Sequence, residues 1–378
     1  MKKLYIVFDQ IPPKRSGGLV TTYISLIELL KNDFDIEIIS IFETTDECKS
    51  LFPNQKIHSL TKYNIDIRFY RLLRFLKSKE FKKFFHAIAS FFYYFLFIPV
   101  GRRRIKNLIN DDDLVIVSAP SAGIYMSKKI KFILEVHINY EYFWGKNIMG
   151  RMQSLLMRKP ALALFRNQSD AKKAENHFPT SYIYNFFDNS SINGNLDATN
   201  PKRRKRIIFM GRLHEQKNPM RLLECAKLLQ KYEPDFILDI YGEGLLKPKI
   251  EVAIGKLGLE KNVFLKGFAN DMNVYSDYSL LWLTSIREGF GLVIIEAKAN
   301  GVPSISTKWG DAVYEVIEND VDGFITDTNE DFVEKTLLLW NDMNEMKKFS
   351  SKALENYNDK FSVTQAKAKW IKILNSYK

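Results

Sequence analysis

The chain has 378 residues, 46% of them hydrophobic and 26% charged, a globular composition that excludes a disordered chain or a fibre and is long enough for two domains. Its two cysteines, Cys48 and Cys225, have no partner spacing for a zinc site or a disulfide framework, which is ordinary usage for a reducing compartment. The net charge of +12 is concentrated: residues 62–106 carry 12 basic residues against two acidic ones, so one local patch explains nearly all of the basicity.

Met1-Lys2-Lys3 precedes an apolar run, Leu4–Phe8, that Asp9 stops. The run is too short for a signal-peptide core and reads as a first strand at a cytoplasmic N-terminus. Pro12, Pro13, Gly17 and Gly18 then form a loop before a helical apolar spacing from Leu19 to Leu30. Further strands are predicted at Asp35–Ile41, Asp113–Ser118 and Phe132–His137. A polar stretch, Asp188–Arg206, reads as an interdomain linker. Beyond it the spacing predicts strand Arg206–Met210, helix Pro219–Lys231, strand Phe236–Tyr241, helix Lys247–Leu257, strands Val263–Leu265 and Leu280–Leu283, a helix from Leu292, strand Pro303–Ser306 and a closing helix over Phe361–Tyr377. Strands alternating with helices imply parallel pairing, hence an α/β protein of two doubly wound domains with a cleft between them. Their expected bounds are 1–188 and 200–360, with 361–378 as a closing segment.

The most informative stretch runs from Glu288 through Gly289, Phe290, Gly291 and Leu292 to Glu296 and on to Pro303. Two glycines before a helix let a backbone approach a ligand closely, and the free amides of Gly291, Leu292 and Val293 would make an anion site that the helix dipole strengthens. A diphosphate fits such a place, with Glu288 and Glu296 flanking it. A second stretch, Gly211-Arg212 to Lys217-Asn218-Pro219, places two cations five residues apart on a turn between strand and helix, where both can reach that diphosphate.

Taken in order, Gly-Arg-Leu-x-x-x-Lys-Asn at 211–218 and Glu-Gly-Phe-Gly-Leu-x-x-x-Glu-Ala at 288–297 resemble the retaining glycosyltransferases of the GT-B fold that include the glycosyltransferase group 1 proteins. Tyr241-Gly-Glu-Gly244, Lys266-Gly-Phe268, Gly301-Val-Pro303 and Gly17-Gly18 extend the resemblance over both halves of the chain; the run from Trp309 to Glu315 matches only loosely. The resemblance implies two Rossmann-like domains facing a central cleft, with the closing helix returning to the first. It implies transfer of a sugar from a nucleoside diphosphate sugar, UDP on family frequency, with retention, no required metal and no cofactor. On this reading Arg212 and Lys217 neutralise the leaving diphosphate, Glu288 contacts the donor sugar, Glu296 holds the ribose, and His137 touches the sugar near the reacting centre. Gly17, Gly18, Gly242, Phe268, Gly289, Phe290, Gly291 and Leu292 complete the donor site. A noncatalytic partner subunit of the same fold and a nucleotide-sugar epimerase are the alternatives.

Residues 67–85 read as an amphipathic helix, followed by 15 uncharged residues, His86–Val100, and then Arg102-Arg103-Arg104. That run is short for a transmembrane helix, which needs about 20 residues. Apolar aromatic surface beside Arg71, Arg74, Lys82, Lys83, Arg102, Arg103 and Arg104 suits a peripheral contact with an anionic membrane at its cytoplasmic face; burial of Phe91–Phe97 in the first domain is the alternative. No recognised module supports nucleic-acid binding. The expected acceptor is a lipid-linked glycan or a cell-envelope polymer.

Overall fold

The computed structural model describes the chain except residues 14–17, 64–80, 138–139, 141–152, 154, 191, 193–199, 270–271 and 378. Gly17, Arg71 and Arg74, and most of the helix expected over 67–85, therefore lie outside the described residues. The chain divides into two compact units, Met1–Ile183 with Trp370–Lys378, and Tyr184–Lys369.

In the first unit, described strands β1 (Lys2–Phe8), β2 (Phe34–Ser40), β3 (Lys56–Ser59), β4 (Leu114–Val117), β5 (Ile133–Val136), β6 (Leu162–Phe165) and β7 (Thr180–Tyr182) form a parallel sheet in the order β3-β2-β1-β4-β5-β6-β7. The central strands are near-continuous apolar runs because helices cover both faces of a parallel sheet. Leu4 to Phe8 are all buried, as are all of β4 and β5. Strand order reverses between β1 and β4, which makes the carboxyl ends of those strands the crevice of this unit.

The second unit repeats the plan with β8 (Arg206–Met210), β9 (Ile237–Tyr241), β10 (Val263–Gly267), β11 (Leu280–Leu283), β12 (Ser304–Thr307) and β13 (Gly323–Thr326), ordered β10-β9-β8-β11-β12-β13 and parallel throughout. The reversal here lies between β8 and β11. Both sheets are doubly wound, as the alternation of strands and helices predicts. The sequence reading missed β3, β6, β7 and β13. Three of these are edge strands of three or four residues, and β3 and β7 have no fully buried position to mark them; edge strands are often kept short and polar. β6 reads Leu-Ala-Leu-Phe, whose leucines and alanine favour helix locally, so sheet pairing overrides propensity there.

The residues just before the stretch predicted as a linker already pack in the second unit, which begins at Tyr184. Tyr184 stacks on Phe290 with ring centroids 5.5 Å apart, and the Tyr357 hydroxyl donates to the Phe187 carbonyl at 2.8 Å.

The uncharged aromatic segment forms a helix, Phe81–Leu96, then a turn at Phe97 and a second helix, Ile98–Leu108, bent from the first by 56°. Among the described residues no single helix is long and apolar enough to cross a membrane, although this bent pair passes on length and composition. One face is core: Ala87, Ser90, Tyr94 and Phe97 are buried, and the Tyr94 hydroxyl donates to the Ser121 carbonyl at 3.0 Å. The other face exposes Phe81, Phe85, Phe92 and Leu96. Burial in the first unit therefore holds for one side of this helix, while its other side is exposed. Arg102 donates to the Ile124 carbonyl at 2.7 and 2.9 Å and Arg104 donates to the Leu60 carbonyl. These two arginines fasten the second helix to its own unit, whereas Arg103, Lys106 and Lys82 are exposed.

Candidate active site

In the second unit the candidate residues gather where β8 and β11 end. The chain leaves β8 through Gly211 and Arg212, makes a tight turn over Glu215–Lys217, and enters the helix Pro219–Leu229 through Asn218. Asn218 adopts the left-handed conformation (φ 48°, ψ 56°), which Asn tolerates better than most residues, and its side chain accepts the Arg221 amide while Pro219 opens the helix. Local chemistry thus explains the Lys-Asn-Pro run. Gly211 has a different reason: a Cβ there would come within 3.1 Å of the Lys217 side chain. The missing side chain leaves room for the lysine stem.

The loop after β11 is knitted to this turn. The Ile286 amide donates to the Gln216 carbonyl at 2.9 Å, Gln216 Nε2 donates to the Arg287 carbonyl at 2.9 Å, and Thr284 Oγ1 reaches the carbonyls of Lys217 and Asn218 at 3.2 and 3.1 Å. These bonds set Lys217 Nζ 2.5 Å from Glu288 Oε1, and Ser285 Oγ donates to the same oxygen. Arg212 is exposed on the same turn. Gly291 (φ +82°) then precedes the helix Leu292–Ala299, and no side chain caps that helix. The Ile294 amide donates to the Gly291 carbonyl at 2.9 Å, and the amides of Leu292 and Val293 ahead of it face the place an anion would take.

Glu296 lies on this helix, half-buried, with Oε2 accepting the Tyr275 hydroxyl at 2.8 Å. Burial raises its carboxyl above the ordinary value, while the Tyr275 hydroxyl and the Lys217 charge oppose that rise. Ser285, Thr284 and Tyr275 escaped the sequence reading because single hydroxyls carry no spacing signature.

Two glycine positions have packing explanations. A Cβ on Gly242 (φ +139°) would fall 1.9 Å from the Gly211 carbonyl oxygen, and one on Gly244 would fall 2.3 Å from the Leu213 carbonyl oxygen. Glycines at 242 and 244 let the loops after β8 and β9 lie against each other. Phe290 turns its side chain into the core, leaving only its backbone for a ligand, and Gly289 is exposed. Phe268 follows β10 and is 76% exposed, accessible for stacking. Gly18 and His137 belong to the first unit, Gly18 opening the helix Gly18–Leu30 and His137 following β5. Among the described residues no three His, Cys, Asp or Glu side chains converge as a metal site.

Residues 196–356 match the family model of glycosyl transferases group 1. The matched residues lie within the second unit. That unit is of the glycosyltransferase group 1 type. A curated relative, the poly(ribitol-phosphate) alpha-N-acetylglucosaminyltransferase of Staphylococcus aureus, is 35% identical over 160 residues, 41% of this chain and only 32% of that protein. A second, from Campylobacter jejuni, is 24% identical with 96% of both chains covered; it is an alpha-1,4-N-acetyl-D-galactosaminyltransferase named for a diNAcBac-PP-undecaprenol-linked GalNAc acceptor. Among solved structures, Anabaena HepE in complex with UDP and glucose superposes with a TM-score of 0.73 over 100% of both chains at 18% identity. Identity at that level carries the fold alone, and the fold of this chain is GT-B, two Rossmann-like domains.

Proposed function

We propose that this protein transfers a sugar from a UDP-sugar, with retention at the anomeric carbon, to a hydroxyl of a lipid-linked glycan or cell-envelope polymer. The observation that carries the reading is the Lys217–Glu288–Ser285 constellation beside the uncapped helix Leu292–Ala299, at the point where the second sheet reverses its strand order. A diphosphate seated on the helix amides meets Lys217 and Arg212, whose charge stabilises the departing UDP in the place a metal would otherwise take. Glu288 is assigned to a sugar hydroxyl and Glu296 to the ribose, and the resemblance assigns His137 to the donor sugar. The leaving phosphate itself can deprotonate the incoming hydroxyl. The activities for which the relatives are named, alpha-linked transfer to poly(ribitol-phosphate) and to an undecaprenol-linked acceptor, support both the acceptor class and retention from an alpha-linked donor. UDP in the HepE complex supports the nucleotide.

A thermal-shift titration with UDP, GDP, ADP and their sugars tests the donor site. A ligand at one hundred times its dissociation constant adds about 2.7 kcal/mol of apparent stability. The expected result is a shift with UDP and a UDP-sugar that Lys217→Ala removes; no shift with any nucleotide would move the noncatalytic partner reading to the front. Incubating donor alone and finding its epimer would favour an epimerase instead.

The same proposal places the enzyme against an anionic membrane through the exposed face of Phe81–Leu96 and the cations Lys82, Arg103 and Lys106. Each basic residue near such a surface contributes about 1 kcal/mol. Flotation with vesicles should show binding to anionic but not neutral lipid, weakening with salt. Equal recovery with both vesicle types would remove the electrostatic contact.

A further inference from the structure

His137 and Arg166 follow β5 and β6, whose last residues, Val136 and Phe165, are paired in register. The two side chains therefore start at the same level, at the carboxyl ends of neighbouring strands. The Arg166 guanidinium lies along the imidazole, Nε 3.3 Å from Nδ1 and Nη2 3.2 Å from Nε2, and Nη2 also donates to Glu135 Oε1. Tyr23, on the helix Gly18–Leu30, brings its hydroxyl to 3.2 Å from His137 Nε2. Glu135 Oε2 has no hydrogen-bond partner among the described residues and lies 3.6 Å from the same nitrogen.

Exposure within this cluster is uneven. Glu135 and Tyr23 are fully buried and the Arg166 side chain is 5% exposed, whereas the His137 side chain is 16% exposed. A buried carboxylate, guanidinium and phenol thus surround an imidazole that is the member most open to solvent. An ion pair placed only to join β5 to β6 would have no need of a partly exposed ring laid along it.

Resting on the reading of His137 as a contact of the donor sugar, we propose that Arg166 and Glu135 are positioning residues that hold the His137 ring in one orientation and one tautomer, as a neutral imidazole. Charge arithmetic supports the protonation state. Glu135 already balances Arg166, so an imidazolium would place a second cation against the guanidinium with no second carboxylate facing it. Burial pushes His137 below its ordinary value and Arg166 pushes it further, with Glu135 opposing. Burial raises the Glu135 carboxyl, but Arg166, with His137, overrides that and holds it at about 2. Tyr23, Glu135 and Arg166 are the titratable or charged groups that the described elements bring to the ring. With Nδ1 accepting from Arg166 Nε, a neutral ring carries its proton on Nε2, which can donate to a sugar hydroxyl oxygen, and it does not compete as a cation for the leaving diphosphate.

The test is a histidine-resolved NMR titration of the full chain, with His137 assigned by its loss in His137→Gln. In Arg166→Gln the ring should titrate at a pH higher by about one unit or more, since an opposing cation is gone, and in Glu135→Gln it should titrate lower. The acidic limb of the kcat/KM profile should follow, and Arg166→Lys should restore part of it. An unchanged His137 titration in folded Arg166→Gln or Glu135→Gln overturns the proposal. Should either single variant fail to fold, Glu135→Gln/Arg166→Gln keeps no buried charge, and its nitrogen shifts report the tautomer. The expected result is a mixture of tautomers, and a single retained tautomer overturns the proposal. Shifted titrations without transfer from any donor would uphold the positioning of His137 and remove the transferase reading alone.

Discussion

Lys217→Ala should lower sugar transfer by two to three orders of magnitude while leaving the backbone of its turn in place. Lys217 sits on a turn whose backbone is held by Thr284, Gln216 and Ile286, and none of those bonds uses its ammonium. The ammonium touches Glu288 instead. Removing one preorganised donor aimed at developing charge typically costs about 2.7–4 kcal/mol of barrier, which is the stated loss in rate. Glu288→Gln separates the two members of the pair, since it preserves shape and the Ser285 contact but leaves the lysine charge uncompensated until a diphosphate arrives. It should bind UDP at least as tightly as wild type and still transfer sugar at least a hundredfold more slowly, an order-of-magnitude expectation on the same basis. Near-normal turnover in folded Lys217→Ala would remove the lysine from the reaction.

Much of this site was legible because its chemistry is local. Arg212, Lys217, Glu288 and Glu296 lie on two short stretches whose glycines, Asn218 and Pro219 announce a turn followed by a helix, and the predicted helix start at Leu292 and strand at Leu280–Leu283 match those found. The His137 cluster was not legible in the same way. Glu135 and Arg166 are 31 residues apart, and only the β5–β6 pairing brings them together. Nothing in Phe165-Arg166-Asn167 marks a buried arginine, since arginine is almost never fully buried without a partner and the partner is remote in sequence. Gly242 teaches the converse. The motif pointed to a ligand, and the structure shows a backbone carbonyl where a side chain would be. Both packing and binding can select the same glycine, so sequence alone cannot assign the cause.

The helix that carries the candidate donor site is anchored by a buried pair to which the motifs give no role. Lys298, one turn beyond the first-turn amides on the helix Leu292–Ala299, is fully buried and pairs with buried Asp322 at 2.5 Å, and Asp322 Oδ1 also accepts the Glu318 amide at 3.0 Å. Burial pushes the lysine down to about 8 although Asp322 opposes it, and burial raises the aspartate although Lys298 opposes that. Lys298→Met leaves a buried carboxylate without its counter-ion and should cost about 3–5 kcal/mol. Lys298→Met/Asp322→Asn keeps the acceptor for the Glu318 amide and removes both charges, so its stability should return to within about 1–2 kcal/mol of wild type. The pH dependence gives an independent sign. Between about 8 and the ordinary lysine value of 10.5 the unfolded chain holds a proton that the folded Lys298 has released. The unfolded state binds more protons there, so the wild-type stability should rise with pH relative to the double variant, by on the order of 1 kcal/mol per unit. Below about 8 that difference in slope should vanish. Parallel pH profiles across this window, or a single variant as stable as the double, would mean that the helix carrying the donor site is not held by this pair.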